Sequence, residues 1–483
     1  MIEEAITERS VIRIPICLSN LSEYDELSFC HSMDCERYAE CKMDRTIYAD
    51  ELPANLSGDK RLLGLQRSNE GNLYLSYYSG AVWLRKPNAE QNGIPLVVAP
   101  KIQNLDTVSM WVEVAESSIY SPSLNENVFD CKPEEPTING VTLPDVTLLQ
   151  VAVFLKELAH FCQRDLRQDF TRIRDNLTGR IKGRILIGEN IRQNTVRGRA
   201  DRVACEYSSM TIDTSANRIL KAALSRCYRY LSQNKSIANL AIWSRQCDAA
   251  LSDVSTVQIN DHDFSGIKYT GLMQRYRRPH ALAKMILKRL RTDAQGNISD
   301  QEAVTVPFYV NMWRLFELYV GVTLEKTNIC FKPQHSNTFN FELPSKSSMI
   351  IRPDYYGEYL NEGIVVDAKY KCITKEILKP EERNLELDGF AVDVSPSNSD
   401  IYQLIAYSAM LYAKTGKPVK KALLIAPGVP GNGNSISKFE DLIRIGRILN
   451  LKQNFENNDA EIIPEQIIVV PCPVPKRRES IKQ

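Results

Sequence analysis

The sequence predicts a multidomain α+β protein, with a β-rich N-terminal region, a helical middle region and a C-terminal α/β domain built on a mixed central sheet. Three observations predict it. At 483 residues the chain exceeds the size at which one hydrophobic core keeps growing, so two or three domains are expected. Up to about residue 130 the apolar residues come in short runs broken by turn residues, whereas the middle of the chain repeats them at helical spacing. Beyond residue 300, strand-like and helix-like segments alternate.

In the N-terminal region, Val11-Ile-Arg-Ile-Pro-Ile16, Asn72-Leu-Tyr-Leu-Ser-Tyr-Tyr78, Ala81-Val-Trp-Leu84 and Ile94-Pro-Leu-Val-Val-Ala99 read as strands. A Pro/Asn/Ser-rich stretch at 121–139 reads as the first linker. Asp145 is placed to cap a helix over 146–167, whose apolar face runs from Leu148 to Cys162. Further helices are expected at 214–232 and 267–292, with the strand-like Gly183-Arg-Ile-Leu-Ile187 before them. In the third region a helix is expected at 307–324, then strands at 348–352, 363–369, 421–426 and 466–470, with a helix over 400–412 between the second and third. The expected domains are therefore 1–130, β-rich and a candidate docking region for a partner; 140–298, mainly helical and basic; and 300–483.

Composition narrows the classes. Hydrophobic residues make up 43% and charged residues 25%, and no stretch approaches the ~20 apolar residues of a membrane helix, so a soluble, cytoplasmic protein is expected. Acidic Glu3 and Glu4 stand where a secretory signal would carry basic residues. The twelve cysteines are mostly scattered, which suits reduced thiols. Cys30, His31, Cys35 and Cys41 are close enough in sequence to consider zinc, but they lack the paired CxxC knuckles of a structural site, and unliganded cysteines are the expectation. His160, His262, His280 and His335 have no ligand pattern and read as structural or surface residues. No GxxxxGK[ST] sequence occurs, so any nucleotide hydrolysis must come from another polypeptide.

A net charge of +1 excludes a strongly basic protein, but the distribution is uneven: residues 164–202 carry eleven Lys and Arg against five acids. Arg180, Lys182, Arg184, Arg197 and Arg199 are the candidate phosphate contacts in this stretch, the alternative being a solvated helical face. A second basic run, from Arg275 to Arg291, spreads over several helical faces and reads as solvated.

Phosphodiester hydrolysis needs a hard divalent cation held by oxygens, an activated water, and positive charge against the scissile phosphate. Pro353-Asp354 and Asp367-Ala368-Lys369 can supply these. In a strand–turn–strand arrangement the two acids return to one end of a sheet, and strand alternation points Asp367 and Lys369 to one face. Asp354 and Asp367 are thus candidate ligands for Mg²⁺ or Mn²⁺, with Lys369 beside the attacking water. The competing interpretation is a turn aspartate and a solvated strand face. Three features weigh against it. Asp367 follows Gly363-Ile-Val-Val366, a run apolar enough to be buried, where an unpaired carboxylate is costly. Asp400, Gln403 and Tyr407 share one face of the next helix. Glu317 interrupts the apolar face of the 307–324 helix and is a third candidate ligand. The set of Glu317, Asp354, Asp367, Lys369, Gln403 and Tyr407 has the pattern of a PD-(D/E)xK nuclease site.

Arg352-Pro-Asp-Tyr-Tyr356, Val365-Val-Asp-Ala-Lys-Tyr-Lys371 and Asp400-Ile-Tyr-Gln-Leu-Ile-Ala-Tyr407 together resemble the nuclease core of the McrC family, the cleavage subunit of McrBC-type modification-dependent restriction systems. Met312-Trp-Arg-Leu-Phe-Glu-Leu-Tyr-Val320 is similar to the helix that opens that family's catalytic domain. Gly179-Arg-Ile-Lys-Gly-Arg184, Cys205-Glu-Tyr207 and Asp213–Leu224 resemble its middle region, and Val97–Ile102 an N-terminal strand, so the likeness covers roughly 90–420. It implies a Mg²⁺-dependent DNA endonuclease that works with, and stimulates, a ring-forming AAA+ GTPase. Nuclease domains that dimerise for double-strand cleavage would fit the same expectation. Two alternatives stand beside it: a non-cleaving DNA-binding assembly factor that activates the GTPase, and a standalone nuclease acting on RNA or branched DNA.

Overall fold

A computed structural model describes residues 15–17, 21–22, 46–48, 56, 58, 60–67, 73–88, 93–102, 104–124, 127–139, 145–233, 238–292, 298–300, 304–333, 339–342, 348–371, 396–431, 436–451 and 463–477. The Cys30, His31, Cys35 and Cys41 cluster and His335 lie outside these residues. The chain is mixed α/β and divides into two compact units: Met1–Leu149 with Val306–Gln483, and Gln150–Thr305. Among the described residues no helix is long and apolar enough to cross a membrane.

The first unit contains two sheets. One has five strands in the order Leu21–Ser22, Ile94–Ala99, Tyr78–Arg85, Phe308–Asn311 and Phe129–Cys131. The first pair is parallel and the others antiparallel. Leu65, Leu75, Leu96, Val98 and Tyr309 build its core. Two expectations change here. Residues 121–139, read as a linker, include the edge strand Phe129–Cys131. Thr107–Glu116 is a helix in the region read as strands only, started by Asp106, whose side chain accepts from the Ser109 N–H.

The segment expected as a helix from 307 begins instead as the strand Phe308–Asn311 and becomes helical at Met312–Glu325. All four strand residues are buried between two neighbours, where an apolar aromatic and β-branched run gains more from pairing than from a helical turn. Asn311 then makes the switch, its side chain accepting from the Arg314 N–H at 3.0 Å.

The second sheet runs Lys332–Pro333, Tyr355–Tyr359, Glu362–Ala368, Val419–Pro427, Gln466–Cys472, Arg447–Asn450. It is mixed, as the sequence predicts. The three strands starting at Glu362, Val419 and Gln466 are parallel and their neighbours antiparallel. The helix Asn398–Thr415 joins the first two of the parallel strands, as such a crossover requires. It buries Leu404, Tyr407 and Leu411 against Val365, Ala422 and Leu424.

In the second unit lie the helices Ser215–Gln233, Ala238–Ala250 and Arg277–Arg289 and nearly all of Val146–Arg164. Asp145, just before the last of these, pairs through its side chain with Arg477 at 2.7 Å. The helix expected over 267–292 is shorter because a 3₁₀ segment, Gly271–Tyr276, precedes it. The basic stretch is a β-arm rather than a helical face: Asp169–Thr178 pairs antiparallel with Arg202–Thr211 over ten residues, and Arg184–Ile185 flanks the latter.

A candidate active site at the open end of a hairpin

Tyr355–Tyr359 and Glu362–Ala368 form an antiparallel hairpin that reverses at Leu360 and Asn361, whose φ angles of 52° and 64° are those of a tight hairpin turn. Tyr355 lies opposite Val366, so Asp354, one residue earlier, stands at the level of Asp367. The sequence spacing thus does return both acids to one sheet end. The strand involved is not the expected one, however. Ser348–Ile351 pairs away with Phe339–Glu342 in a separate two-stranded sheet, and Asp354 precedes the following strand instead of ending that one.

Strand alternation puts Val365 and Asp367 on the face covered by the Asn398–Thr415 helix. Asp354 Oδ2 accepts the Ala368 N–H at 2.8 Å. Glu317 comes from the Met312–Glu325 helix, whose backbone carbonyl at the same residue accepts from Tyr355 Oη at 2.6 Å. Gly321 permits that approach: a Cβ there would stand 2.5 Å from the Tyr120 ring and 2.7 Å from Tyr355 Oη.

Glu317, Asp354 and Asp367 are all buried, Asp367 to 1% exposure. Burial, then the neighbouring Asp367 and Glu317, pushes the Asp354 carboxyl well above the usual carboxylate range. Burial also raises Asp367, against the opposing pull of Lys369. Glu317 Oε1 is paired with Arg314 at 2.6 Å, but its Oε2 is buried without a hydrogen-bond donor. Asp367 Oδ2 is buried too, and Lys369 Nζ lies 2.9 Å from it as an ion pair. When all three acids are ionised, they carry one more charge than Arg314 and Lys369 offset, and Glu317 Oε2 lacks a donor. A hard divalent cation would satisfy both. Among the described residues no three His, Cys, Asp or Glu side chains form a ready-made metal cage.

Lys369 is oriented from the helix. Its Nζ donates to Gln403 Oε1 at 2.9 Å, and Gln403 Nε2 donates in turn to Tyr407 Oη at 2.5 Å. Burial, then Asp367, pushes the Tyr407 hydroxyl up to about 12, so it stays protonated. Asp400, grouped with these two by helical spacing, points elsewhere. It closes a capping box with Ser397 and pairs with Lys371. Burial would raise its carboxyl, but hydrogen bonds from Lys371 and Ser397 outweigh this and hold it below the usual range.

The structure therefore brings together Glu317, Asp354, Asp367, Lys369, Gln403 and Tyr407. Sequence reasoning missed Arg314, Tyr355 and Lys371. The i, i+3 spacing of Arg314 and Glu317 was the available signal for the first; the others depend on long-range geometry. Arg180, Lys182, Arg184, Arg197 and Arg199 are exposed on the β-arm and its flank, in the other unit. Lys182 covers the Tyr207 ring at 4.2 Å. In the second basic run, Arg275 pairs with Asp165 and Arg289 is buried, so not all of that run is solvated. Among the histidines, His160 and His262 are exposed. His280 is buried and bonded to Tyr269 and the Ala216 carbonyl, a structural role.

A family model described as McrBC 5-methylcytosine restriction system component matches residues 117–427. Two solved structures from Thermococcus gammatolerans are similar to the chain. One is a refined half-complex from a tetradecameric assembly of McrB AAA+ hexamers with bound McrC, at 15% identity and a TM-score of 0.35, covering 86% of this chain and 82% of that one. The other is a cryo-EM structure of the McrBC complex, at 17% identity and a TM-score of 0.29, covering 63% of this chain and 86% of that one. No curated protein matches the chain.

Proposed function

The chain belongs to the family of McrBC 5-methylcytosine restriction system components, and from that premise we propose that it is the cleaving subunit: a Mg²⁺-dependent DNA endonuclease with a PD-(D/E)xK core. The observation that carries this reading is the juxtaposition of Asp354, Asp367 and Lys369 at one end of a buried hairpin, with Lys369 paired to Asp367 at 2.9 Å.

Asp354 and Asp367 would hold the cation, with Glu317 assisting directly or through water. A bound Mg²⁺ (or Mn²⁺) supplies Lewis acidity and lowers the cost of ionising a water. Lys369 orients the nucleophile and offsets the charge that gathers on the phosphate as it is attacked. Gln403 fixes the direction of that ammonium by accepting a hydrogen bond from it, and Tyr407 fixes Gln403 in turn. Burial keeps bulk water from screening these interactions.

Partners follow from the family. One of the two Thermococcus gammatolerans structures holds McrB AAA+ hexamers with bound McrC, and the other is an McrBC complex. A corresponding AAA+ GTPase ring, stimulated by this subunit, is the proposed partner, and paired nuclease domains would give double-strand cleavage. Arg180, Lys182, Arg184, Arg197 and Arg199 supply exposed positive charge on the β-arm, suited to DNA phosphates and sequence-independent.

The deciding experiment compares the wild type with Asp367→Ala. The variant is expected to lose all Mg²⁺-dependent cleavage of 5-methylcytosine-containing duplex DNA while still assembling with the GTPase. Undiminished cutting would remove the assignment. GTPase stimulation by a wild type that never cuts would favour the non-cleaving assembly factor, and cutting of RNA or branched DNA without any partner would favour the standalone nuclease.

A further inference from the structure

Two residues beyond Lys369 stands a second lysine whose contacts the nuclease chemistry does not use. Lys371 Nζ donates to both oxygens of Asp400, at 2.8 and 2.6 Å. Asp400 is 3% exposed, and its Oδ2 also accepts from the Ser397 N–H at 3.0 Å and from Ser397 Oγ at 2.7 Å. Ser397 Oγ accepts from the Asp400 N–H in return, completing the capping box of the Asn398–Thr415 helix. One helical turn later, Gln403 receives Lys369. Strand end and helix start are thus joined by two parallel contacts: Lys371 with Asp400, and Lys369 with Gln403.

An exposed lysine pair on a surface usually contributes little. This one differs in three ways. Its carboxylate is buried and accepts several hydrogen bonds at once, so losing the cation would strand a buried charge. A lysine is the wrong sign for the N-terminal end of a helix, so the helix field does not explain its place there; only Asp400 does. Lys371 and Asp400 are 29 residues apart in the chain, so their contact is not imposed by local sequence. Apolar packing of Leu404 and Leu411 seats the helix on the sheet, but packing of aliphatic side chains tolerates small slides and rotations that a catalytic group does not.

We propose that Lys371 is a positioning residue: its ion pair with Asp400 locks the first turn of the Asn398–Thr415 helix to the end of the Glu362–Ala368 strand and so holds Gln403 against the Lys369 ammonium. The part of this inference that concerns cleavage rests on the nuclease reading above; the mechanical part does not.

The test uses the full chain and the variants K371M, D400N and K371R, each followed by amide hydrogen exchange and by cleavage of 5-methylcytosine-containing duplex DNA with Mg²⁺, GTP and the cognate GTPase. In K371M and D400N alike, amides of 398–403 are expected to exchange about tenfold faster than in the wild type while 404–415 keep their protection. Their kcat is expected to fall about tenfold to a hundredfold at unchanged KM, the usual effect of removing a group that orients a catalytic one. K371R, which keeps the cation, should restore both. A raised KM in K371M with wild-type behaviour in D400N would mean that Lys371 grips the substrate, and would overturn the proposal. So would unchanged exchange in both variants. If K371M does not fold, D400N and K371R provide the same comparison. A wild type that never cuts would defeat the nuclease reading, while faster exchange in the variants would still establish the clamp.

Discussion

Asp354 and Asp367 give up hydration on folding and receive too little in exchange while both are charged. Their carboxyls are raised by burial, and for Asp354 also by Asp367 and Glu317. A carboxyl raised in the folded state stabilises the fold fully below its unfolded value, here 3.8, and that contribution is lost as pH rises through the folded value. Without a divalent cation these two groups therefore destabilise the protein progressively above the ordinary carboxylate range. Cation binding needs both acids ionised, so it releases protons and strengthens as pH rises. Mg²⁺ is expected to raise the melting temperature by an increment that grows from mildly acidic to neutral pH. Asp367→Asn should be more stable than the wild type in chelator at neutral pH and unresponsive to Mg²⁺. Differential scanning calorimetry of both proteins across that range checks this; an increment indifferent to pH, or shared by the variant, contradicts it.

The hairpin that carries the two acids turns through Leu360, a residue with a positive φ and a side chain 79% exposed. An L-residue of that bulk pays about 1 kcal/mol for such a conformation, and here no burial offsets it. Leu360→Asn keeps the turn and fits it better. It is expected to raise stability by about 0.5–1 kcal/mol and to leave cleavage unchanged, since the turn lies at the opposite end of the hairpin from Asp354; thermal melting and a cleavage assay check both halves. The hairpin was legible in the sequence because the spacing of Asp354 and Asp367 and strand periodicity require no knowledge of the rest of the chain. Its first strand was misplaced because Ser348–Ile351 has equally good strand character and only its pairing with Phe339–Glu342 separates it. The face of the Asn398–Thr415 helix that meets Lys369 was legible for Gln403 and Tyr407. Asp400 misled because helical spacing reports a shared face but not which polar neighbour claims each member. Phe308–Asn311 was hidden for a different reason. A continuous apolar run satisfies both periods, and the choice is made by neighbours far away in sequence.

At the scale of the whole chain, the two units carry different chemical sensitivities. The site acids belong to the unit formed by Met1–Leu149 and Val306–Gln483, whereas His280 belongs to Gln150–Thr305. Burial holds the His280 imidazole down to about 4, against an ordinary 6.5. A depressed histidine contributes stability that is complete above its unfolded value and is lost as pH falls toward the folded one. Acidification from about 6.5 to 4 is therefore expected to cost Gln150–Thr305 roughly 3 kcal/mol, and His280→Gln should flatten that dependence. Hydrogen exchange resolved by peptide gives the readout: acid should loosen the helices around Ala216 and His280, and Mg²⁺ should protect peptides around Asp354 and Asp367. Mg²⁺ protection centred on the second unit would contradict the placement of the cation.

The five-stranded sheet places Phe308–Asn311 between Tyr78–Arg85 and Phe129–Cys131. On the ribosome, its two neighbours emerge early and must stay apart until all of Gln150–Thr305 has been translated. The inserted unit is free to fold in that interval, while the waiting strands present open edges that invite pairing with other nascent chains. Asp354 and Asp367 emerge later still, so a half-made polypeptide lacks the two acids of the candidate site. If the chain cleaves DNA as proposed, that activity is withheld until synthesis has passed Asp367, while the waiting strand edges are exposed for the whole of that interval.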